Sequence, residues 1–204
     1  MNLIAKALLE TKSVHIKPDP SNFFTWTSGK KSPIYCDNRK LISYPKVRSL
    51  IVEYFIELIQ KDFSEVELIA GTATAGIPWA ALIAEKLDLP MIYIRSKPKG
   101  HGLGSAIEGK IEEGQKTLII EDLISTGKSS IEAYQHTLTN KLNPMAVLSI
   151  FSYGFSEANL AFENINLIKK SLCELDQLLS YAQSSHLLSE DDVETVLNWK
   201  KNYS

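Results

Sequence analysis

Short apolar runs alternate with amphipathic stretches through the middle of the chain. The runs have the length and composition of buried strands, whereas the stretches between them repeat apolar residues every three or four positions, as helices do. Strands that alternate with helices imply a parallel, doubly wound sheet with right-handed crossovers. We therefore predict an α/β fold with a mostly parallel sheet flanked by helices. The predicted strands are 66–70, 91–94, 117–120 and 145–151. The predicted helices are one after a cap at Ser43, one with a buried stripe over 77–87, one from about Gly127, one over 175–182, and a last one that a capping box of Ser189 and Asp192 opens.

The N-terminal segment has a different pattern. Two aromatic or β-branched runs, 23–27 and 33–36, flank a polar stretch that contains Gly29, and this arrangement predicts a small hairpin. We interpret residues 1–42 as a minor N-terminal part of a single domain that spans 1–204.

Composition narrows the class of protein. The chain has 204 residues and a net charge of -2, so it has the length of one domain and no general positive field that would attract nucleic acid. Cys36 and Cys173 are too few for a disulfide framework and are expected to be reduced. No apolar stretch reaches the length of a membrane span. We predict a cytoplasmic protein with no nucleic-acid or membrane partner.

The most informative segment follows the strand 117–120. In open α/β sheets, ligands bind beyond the carboxyl ends of the strands. Here Glu121 and Asp122 come first, and a hydroxyl-rich turn then leads into a helix. Because the N–H groups that begin a helix attract anions, the turn from Ser125 to Ser129 predicts a site for a phosphate monoester. The two carboxylates suit the hydroxyls of an attached sugar, or a hydrated Mg²⁺.

This segment has two alternative interpretations. A Walker A loop ending at Ser129 would need glycine at position 122, where Asp122 stands. Alternatively, Ser125 and Thr126 are ordinary helix caps and the carboxylates are a solvated strand end.

Two more loops follow predicted strands. The glycine-bracketed turn from Gly71 to Gly76 suits a second phosphate group, although a tight turn alone would explain its glycines. The stretch 95–109 is cationic and glycine-rich and is predicted to be a long loop. It is either a solvated basic loop or a mobile segment that closes over a polyanion and neutralises its charge. A dinucleotide fingerprint is excluded because Ser105 occupies the place of its third glycine.

Together these segments resemble the type I phosphoribosyltransferase family, in particular its orotate branch. The resemblance implies transfer of ribose 5-phosphate from phosphoribosyl diphosphate, taken with Mg²⁺, to orotate. It also implies a homodimer in which the loop 95–109 is shared across subunits, and an N-terminal hood, residues 1–42, over the base site. The matching segments are 24–26, 28–29, 31–35, 76–78, 95–102 and 121–129.

The resemblance also implies roles for individual residues. Arg95, Lys99 and His101 would stabilise charge on the leaving diphosphate and, with Asp122, would be the catalytic residues. The Mg²⁺ would be held mainly by the substrate and not by protein side chains. Implied contacts with phosphoribosyl diphosphate are Arg95, Lys99, His101, Thr72, Ala73, Glu121, Asp122, Leu123, Ile124, Ser125, Thr126, Gly127, Lys128 and Ser129.

For orotate, the implied contacts are Ser125, Tyr35 and Arg39. Lysines common in the family are missing at Thr27, Ala75 and Ser96, so Arg39 and Lys31 are candidate substitutes in contacting the orotate carboxylate.

Two rivals share parts of this pattern. A purine-type phosphoribosyltransferase would keep the run 121–129 but need a different base pocket. A non-catalytic regulator that senses phosphoribosyl diphosphate and binds RNA would need a basic face, which a net charge of -2 does not indicate.

Overall fold

The computed structural model describes residues 2–26, 29–96 and 106–203, which form an α/β fold. Short 3₁₀ helices occur at Pro20–Asn22 and Asn38–Ser43. The strands are β1 (Val14–Ile16), β2 (Phe24–Thr25), β3 (Lys31–Ser32), β4 (Ile34–Cys36), β5 (Leu68–Thr72), β6 (Met91–Ile94), β7 (Ile107–Glu108), β8 (Lys116–Ile124), β9 (Asn143–Ser152) and β10 (Ile168–Glu174). The helices are α1 (Leu3–Glu10), α2 (Pro45–Asp62), α3 (Ile77–Leu87), α4 (Lys128–Thr139), α5 (Ser156–Glu163), α6 (Leu175–Ser184) and α7 (Glu190–Asn202).

The central sheet has six strands in the order β10-β9-β8-β5-β6-β7. Neighbouring strands are parallel except β6 and β7, which are antiparallel, so the predicted mostly parallel sheet is confirmed. Because β5, β6 and β8 are adjacent and parallel, their carboxyl ends meet at one edge. This edge is where ligands bind in such sheets.

The core lies on both faces of this sheet. Along β8, Leu118 and Ile120 belong to one cluster of buried side chains, whereas Ile119 belongs to the other. Successive side chains of a strand point to opposite faces, so a strand covered on both faces needs apolar residues at every position. This explains the unbroken apolar run from Leu118 to Ile120 in β8.

The predicted helices are present, but one predicted cap is wrong. α2 begins at Pro45 with Tyr44 at its N-cap, and Ser43 is the last residue of the preceding 3₁₀ helix. Proline suits the first helical position because the N–H it lacks has no partner inside a helix there. α4 begins at Lys128, one residue after the predicted start.

The N-terminal segment forms two small antiparallel sheets. β2 pairs with β3, with Phe24 opposite Ser32, whereas β4 pairs with β1. The predicted pairing of 23–27 with 33–36 is therefore wrong. Pro33 separates β3 from β4 and cannot donate to a strand ladder, so the chain can change partners there. The hood over a base site stays a prediction.

Other elements were not predicted from the sequence. These are β1, β10, α1 and α5, together with β7, which lies inside the stretch 95–109 that was predicted to be a loop. β7 is only Ile107–Glu108 and is defined by its pairing with β6, which is a tertiary contact. None of the helices formed by the described residues is long and apolar enough to cross a membrane.

Candidate active site

The acidic pair lies within β8 and not beyond it. The strand continues to Ile124, where it still pairs with β9, so the prediction that Glu121 and Asp122 follow the strand is wrong. Alternation along a strand sends neighbouring side chains to opposite faces. Glu121 is accordingly buried, with 5% exposure, whereas Asp122 is half-buried.

Glu121 ties the first turn of α4 to the sheet. The hydroxyls of Ser129 and Ser130 donate to its Oε1 at 3.1 and 3.3 Å. Burial raises the pKa of Glu121 to about 7, although hydrogen bonds from Thr72 and the two serines oppose that rise. The side chain predicted to contact sugar hydroxyls thus supports the turn itself. Ser130, on the buried side of α4, was not singled out from the sequence.

The turn from Ser125 to Ser129 leads into α4 without a side-chain cap. Gly127 is the N-cap residue and has a φ of 81°, and no side chain caps the helix. The interpretation of Ser125 and Thr126 as ordinary caps is therefore wrong. A Cβ at Gly127 would lie 2.8 Å from Cε2 of Phe162, so this position requires glycine by both conformation and space. The geometry leaves the N–H groups of the first turn of α4 without side-chain acceptors, as an anion site requires.

The loop after β5 packs directly on β8. Thr72 is the last residue of β5 and not part of the turn, and its hydroxyl donates to the carbonyl oxygen of Ile120 at 3.0 Å. The N–H of Gly76 donates to the carbonyl oxygen of Thr72 at 2.9 Å. A Cβ at Gly76 would collide with the same carbonyl of Ile120. The peptide between Ala73 and Thr74 is cis.

Arg95 lies at the end of β6. Its N–H donates to the carbonyl oxygen of Ala106 at 2.8 Å, and its Nη1 lies 3.5 Å from Oε1 of Glu108. Lys99 and His101, predicted as its catalytic companions, lie outside the described residues. Residues from all three strand ends line one small cavity: Thr72, Ala73, Ile94, Arg95, Ser96, Ser129, Glu132 and Ala133.

On the other side of the acidic pair, the N-terminal segment contacts β8 through Asn38. The side chain of Asn38 is buried, and its Nδ2 donates to the carbonyl oxygen of Asp122 at 2.7 Å. Its Oδ1 accepts from the thiol of Cys36 at 3.1 Å. Sequence reasoning missed Asn38 because its partner is 84 positions away and no local pattern marks the contact.

The predicted orotate residues lie near this contact. Nε of Arg39 lies 2.6 Å from Oδ1 of Asp37, and this hydrogen bond raises the pKa of Arg39. Burial raises the pKa of Asp122, whereas hydrogen bonds from backbone N–H groups and the charge of Arg39 oppose that rise. Tyr35 is 39% exposed. The structure therefore brings Arg39 within electrostatic reach of Asp122.

Lys31, the other candidate for the orotate carboxylate, points along its own hairpin. Its Nζ donates to the hydroxyl of Thr25 at 2.7 Å.

Among the described residues, the candidate site has no cluster of the side chains that usually hold a metal ion. Within the described parts of the chain, no three His, Cys, Asp or Glu side chains lie close enough together to hold a metal ion. Asp122 is the half-buried carboxylate of the acidic pair, and Mg²⁺ is commonly held by one or two carboxylates together with substrate phosphates. The site therefore fits a Mg²⁺ that arrives with a polyphosphate.

Comparison with known proteins defines the class. The sequence model of the phosphoribosyl transferase domain matches residues 40–150, more than half of the chain. The chain therefore belongs to the phosphoribosyltransferase family. The matched range contains the loop after β5 and the turn from Ser125 to Ser129.

Similar proteins of known identity indicate the branch of the phosphoribosyltransferase family. The orotate phosphoribosyltransferase of Bacillus subtilis strain 168 is 47% identical over 200 residues, which cover 98% of this chain and 92% of the relative. That of Fusobacterium nucleatum is 45% identical over 199 residues, with 98% and 94% covered. The solved orotate phosphoribosyltransferase from Aeropyrum pernix is 26% identical, with a TM-score of 0.78 over 89% of this chain and 98% of its own. The sequence thus falls in the orotate phosphoribosyltransferase branch, as its motifs predicted.

Proposed function

We propose that this chain transfers ribose 5-phosphate from phosphoribosyl diphosphate to orotate, which gives orotidine 5′-phosphate and diphosphate in pyrimidine synthesis. The observation that carries the proposal is the helix start at Gly127, which no side chain caps and which the buried Glu121 holds against the sheet. The similarity to orotate phosphoribosyltransferases over 98% of the chain supports the choice of base.

The 5′-phosphate is expected to bind at the N–H groups of the turn from Ser125 to Ser129. A dianionic monoester is stabilised there by the partial positive charge of the helix start and by the hydroxyls of Ser125 and Thr126. Asp122 then accepts hydrogen bonds from the ribose hydroxyls. Because Glu121 is bonded to Ser129 and Ser130, its part in binding is to fix the turn.

The diphosphate is expected to lie along the loop from Thr72 to Gly76, next to Arg95. These residues line the same cavity as Ser129, which supports a single ligand that spans both loops. Displacement at the anomeric carbon gives that carbon positive character and leaves negative charge on the diphosphate. Arg95, together with Lys99 and His101, would stabilise that charge, since preorganised donors at a developing charge contribute most to such catalysis. No covalent nucleophile is required.

Orotate is expected to bind between the hood and the end of β8. The ring of Tyr35 offers an apolar face to the flat pyrimidine, and Arg39 offers a charge to its carboxylate. Ser125 would reach the pyrimidine from the sheet side. The contact between Asn38 and Asp122 supports this arrangement because it fixes the hood next to the ribose site.

Mg²⁺ would enter with phosphoribosyl diphosphate and neutralise part of its charge, with Asp122 as the nearest proposed carboxylate. We also propose a homodimer in which the loop 95–109 serves the neighbouring subunit. The proposed location is the cytoplasm, and the free thiols of Cys36 and Cys173 are compatible with its reducing conditions.

The activity is tested by mixing the protein with phosphoribosyl diphosphate, Mg²⁺ and one base at a time, and measuring the release of diphosphate and the loss of orotate absorbance. We expect turnover with orotate and not with adenine, guanine or hypoxanthine. Turnover of a purine alone would favour the purine branch. Binding of phosphoribosyl diphosphate without turnover of any base would favour the regulator.

A further inference from the structure

Five aromatic side chains join the hairpin β2–β3 to the C-terminal helix α7. We call them the aromatic brace: Trp26, Tyr153, Phe155, Trp199 and Tyr203. The ring centroid of Trp26 lies 5.3 Å from that of Tyr153, 5.8 Å from Trp199 and 5.4 Å from Tyr203. Phe155 stacks on Tyr203 with centroids 4.0 Å apart and planes 9° from parallel. The C-terminal helix thus packs on the N-terminal hairpin.

Polar contacts reinforce this packing. The indole Nε1 of Trp199 donates to the backbone carbonyl of Lys31 at 2.9 Å, and Nζ of Lys30 lies 4.1 Å from the ring centroid of Tyr203. α7 is itself anchored to α6, since Nζ of Lys200 lies 2.8 Å from Oδ1 of Asp176. Both strands of the hairpin are therefore held from one side by a helix that is fixed to the domain.

Further contacts connect the aromatic brace to Tyr35, which is predicted to border the base. The indole Nε1 of Trp26 donates to the carbonyl oxygen of Ile34 at 3.1 Å, one residue before Tyr35. The ring of Phe24, two residues before Trp26, lies 5.8 Å from the ring of Tyr35. Contacts therefore run without a break from α7 through the hairpin to Tyr35.

An isolated two-stranded hairpin is at best marginally stable in water. β2 and β3 each have two residues, so their own ladder is too short to hold them in place. Packing against Trp199 and Tyr203 supplies the missing support, because large aromatic side chains dominate such contacts. The C-terminal helix, together with Tyr153 and Phe155, therefore supports the position of the hairpin.

We propose that Trp199 and Tyr203 are positioning residues for orotate, and that they act by holding the hairpin and β4 so that Tyr35 borders the base. This inference rests on the proposed role of Tyr35 in binding orotate. The proposed phosphate site depends on α4 and the loop after β5, and neither Trp199 nor Tyr203 belongs to these elements. Loss of the brace should therefore affect the two substrates unequally.

The test is steady-state kinetics of Tyr203→Ala with each substrate varied in turn. We expect the KM for orotate to rise about tenfold, with kcat and the KM for phosphoribosyl diphosphate changed by less than about twofold. Tyr203→Phe keeps the stacked ring and should restore the orotate KM. Trp199→Phe keeps a smaller aromatic ring but loses the donor to the carbonyl of Lys31, and it should raise the orotate KM about threefold.

The matched control is Tyr181→Ala on α6, a half-buried tyrosine outside the brace. If Tyr181→Ala raises the orotate KM as much as Tyr203→Ala, or if both Michaelis constants rise equally in Tyr203→Ala, the effect is general destabilisation and the proposal is overturned. An unchanged orotate KM in both Tyr203→Ala and Trp199→Phe also overturns it.

A measurement without turnover separates this inference from the proposed function. Amide hydrogen exchange in residues 24–26, 31–32 and 34–36 should be faster in Tyr203→Ala than in the wild type, whereas exchange in β5 and β8 should be unchanged. Unchanged exchange in the hairpin overturns the brace even if the wild type turns over orotate. A wild type without orotate turnover contradicts the proposed function, and the exchange result still decides whether the brace holds the hairpin.

Discussion

The turn from Ser125 to Ser129, which is the proposed phosphate site, and residues 1–42, which are the proposed hood, are held in place in different ways. On the phosphate side, Glu121 bonds to Ser129 and Ser130, 8 and 9 positions further along the chain. In the hood, by contrast, the side chain of Asn38 donates a hydrogen bond to the carbonyl of Asp122, 84 positions away. The backbone carbonyl of Lys31 accepts a hydrogen bond from Trp199, 168 positions away. The turn from Ser125 to Ser129 is therefore tied to the sheet by side chains of its own segment. The N-terminal segment, in contrast, is attached to the domain by contacts with distant parts of the chain. Changes on the phosphate side should impair turnover as a whole, and changes in the hood should weaken orotate binding.

The largest effect is expected from Asp122→Asn. Asp122 is the proposed acceptor for the ribose hydroxyls, and loss of its charge at a developing cation should lower kcat/KM about 100- to 1000-fold. Steady-state kinetics measure this loss. The matched control is Asp88→Asn. Asp88 is an exposed aspartate at the C-terminal end of α3, and its substitution should leave kcat/KM unchanged. A loss of less than about fivefold in Asp122→Asn would remove Asp122 from the proposed mechanism.

The second effect is a pH dependence of the free energy of unfolding, which we expect from the burial of Glu121. Its folded pKa of about 7 lies above the ordinary 4.5, so the folded state binds more protons and loses stability as the pH rises from 4.5 to 7. The cost should reach about 3 kcal/mol above pH 7. Glu121→Gln removes this titration, so urea unfolding should show the variant gaining that amount over the wild type between pH 5 and pH 8. Parallel stability profiles for the two proteins would show that Glu121 does not titrate in this range.

The glycine at the start of α4 gives a third test. Gly127 and Gly114 have similar φ values of 81° and 85°, but a Cβ at Gly127 would lie 2.8 Å from the ring of Phe162, whereas a Cβ at Gly114 would meet nothing within 4 Å. Alanine at either position is strained by about 1–2 kcal/mol. Gly127→Ala should cost about 1–3 kcal/mol more because of the contact with Phe162, and it should also raise the KM for phosphoribosyl diphosphate. Equal losses of unfolding free energy in the two variants would show that Phe162 does not shape the turn.

The smallest effect is expected in the hood. Arg39→Ala should raise the KM for orotate about tenfold and leave the KM for phosphoribosyl diphosphate unchanged, because a single exposed charge contact is lost. Lys40→Ala is the matched control, since Lys40 is a neighbouring exposed cation whose Nζ lies 3.4 Å from the carbonyl oxygen of Lys12. An unchanged orotate KM in Arg39→Ala would exclude Arg39 from the carboxylate contact and would leave that role unassigned.

The two regions also differ in how well the sequence predicted them. The turn from Ser125 to Ser129 and the start of α4 could be predicted because the whole motif is contiguous and follows the apolar run Leu118–Ile120. The burial of Glu121 was missed because two adjacent acids suggest a shared role. Had the strand been extended to Ile124, its alternation would have placed Glu121 and Asp122 on opposite faces.

The hood could not be predicted to the same depth. Its aromatic runs indicate strands, but the sequence gives no sign that β4 pairs with β1 and β2 with β3. Strands of two or three residues have too few alternating positions to indicate a partner strand in the sequence. Their pairing is therefore determined by tertiary contacts. The same holds for Asn38 and for the packing of Trp26 on Trp199, which depend on residues far apart in the chain.

A crystal structure of the complex with orotidine 5′-phosphate tests the central claim most directly. We expect the phosphate oxygens to lie about 3 Å from backbone nitrogens of the turn from Ser125 to Ser129, with the ribose hydroxyls on Asp122 and the pyrimidine against Tyr35. A phosphate bound away from the start of α4, with that turn free of ligand, would contradict the account.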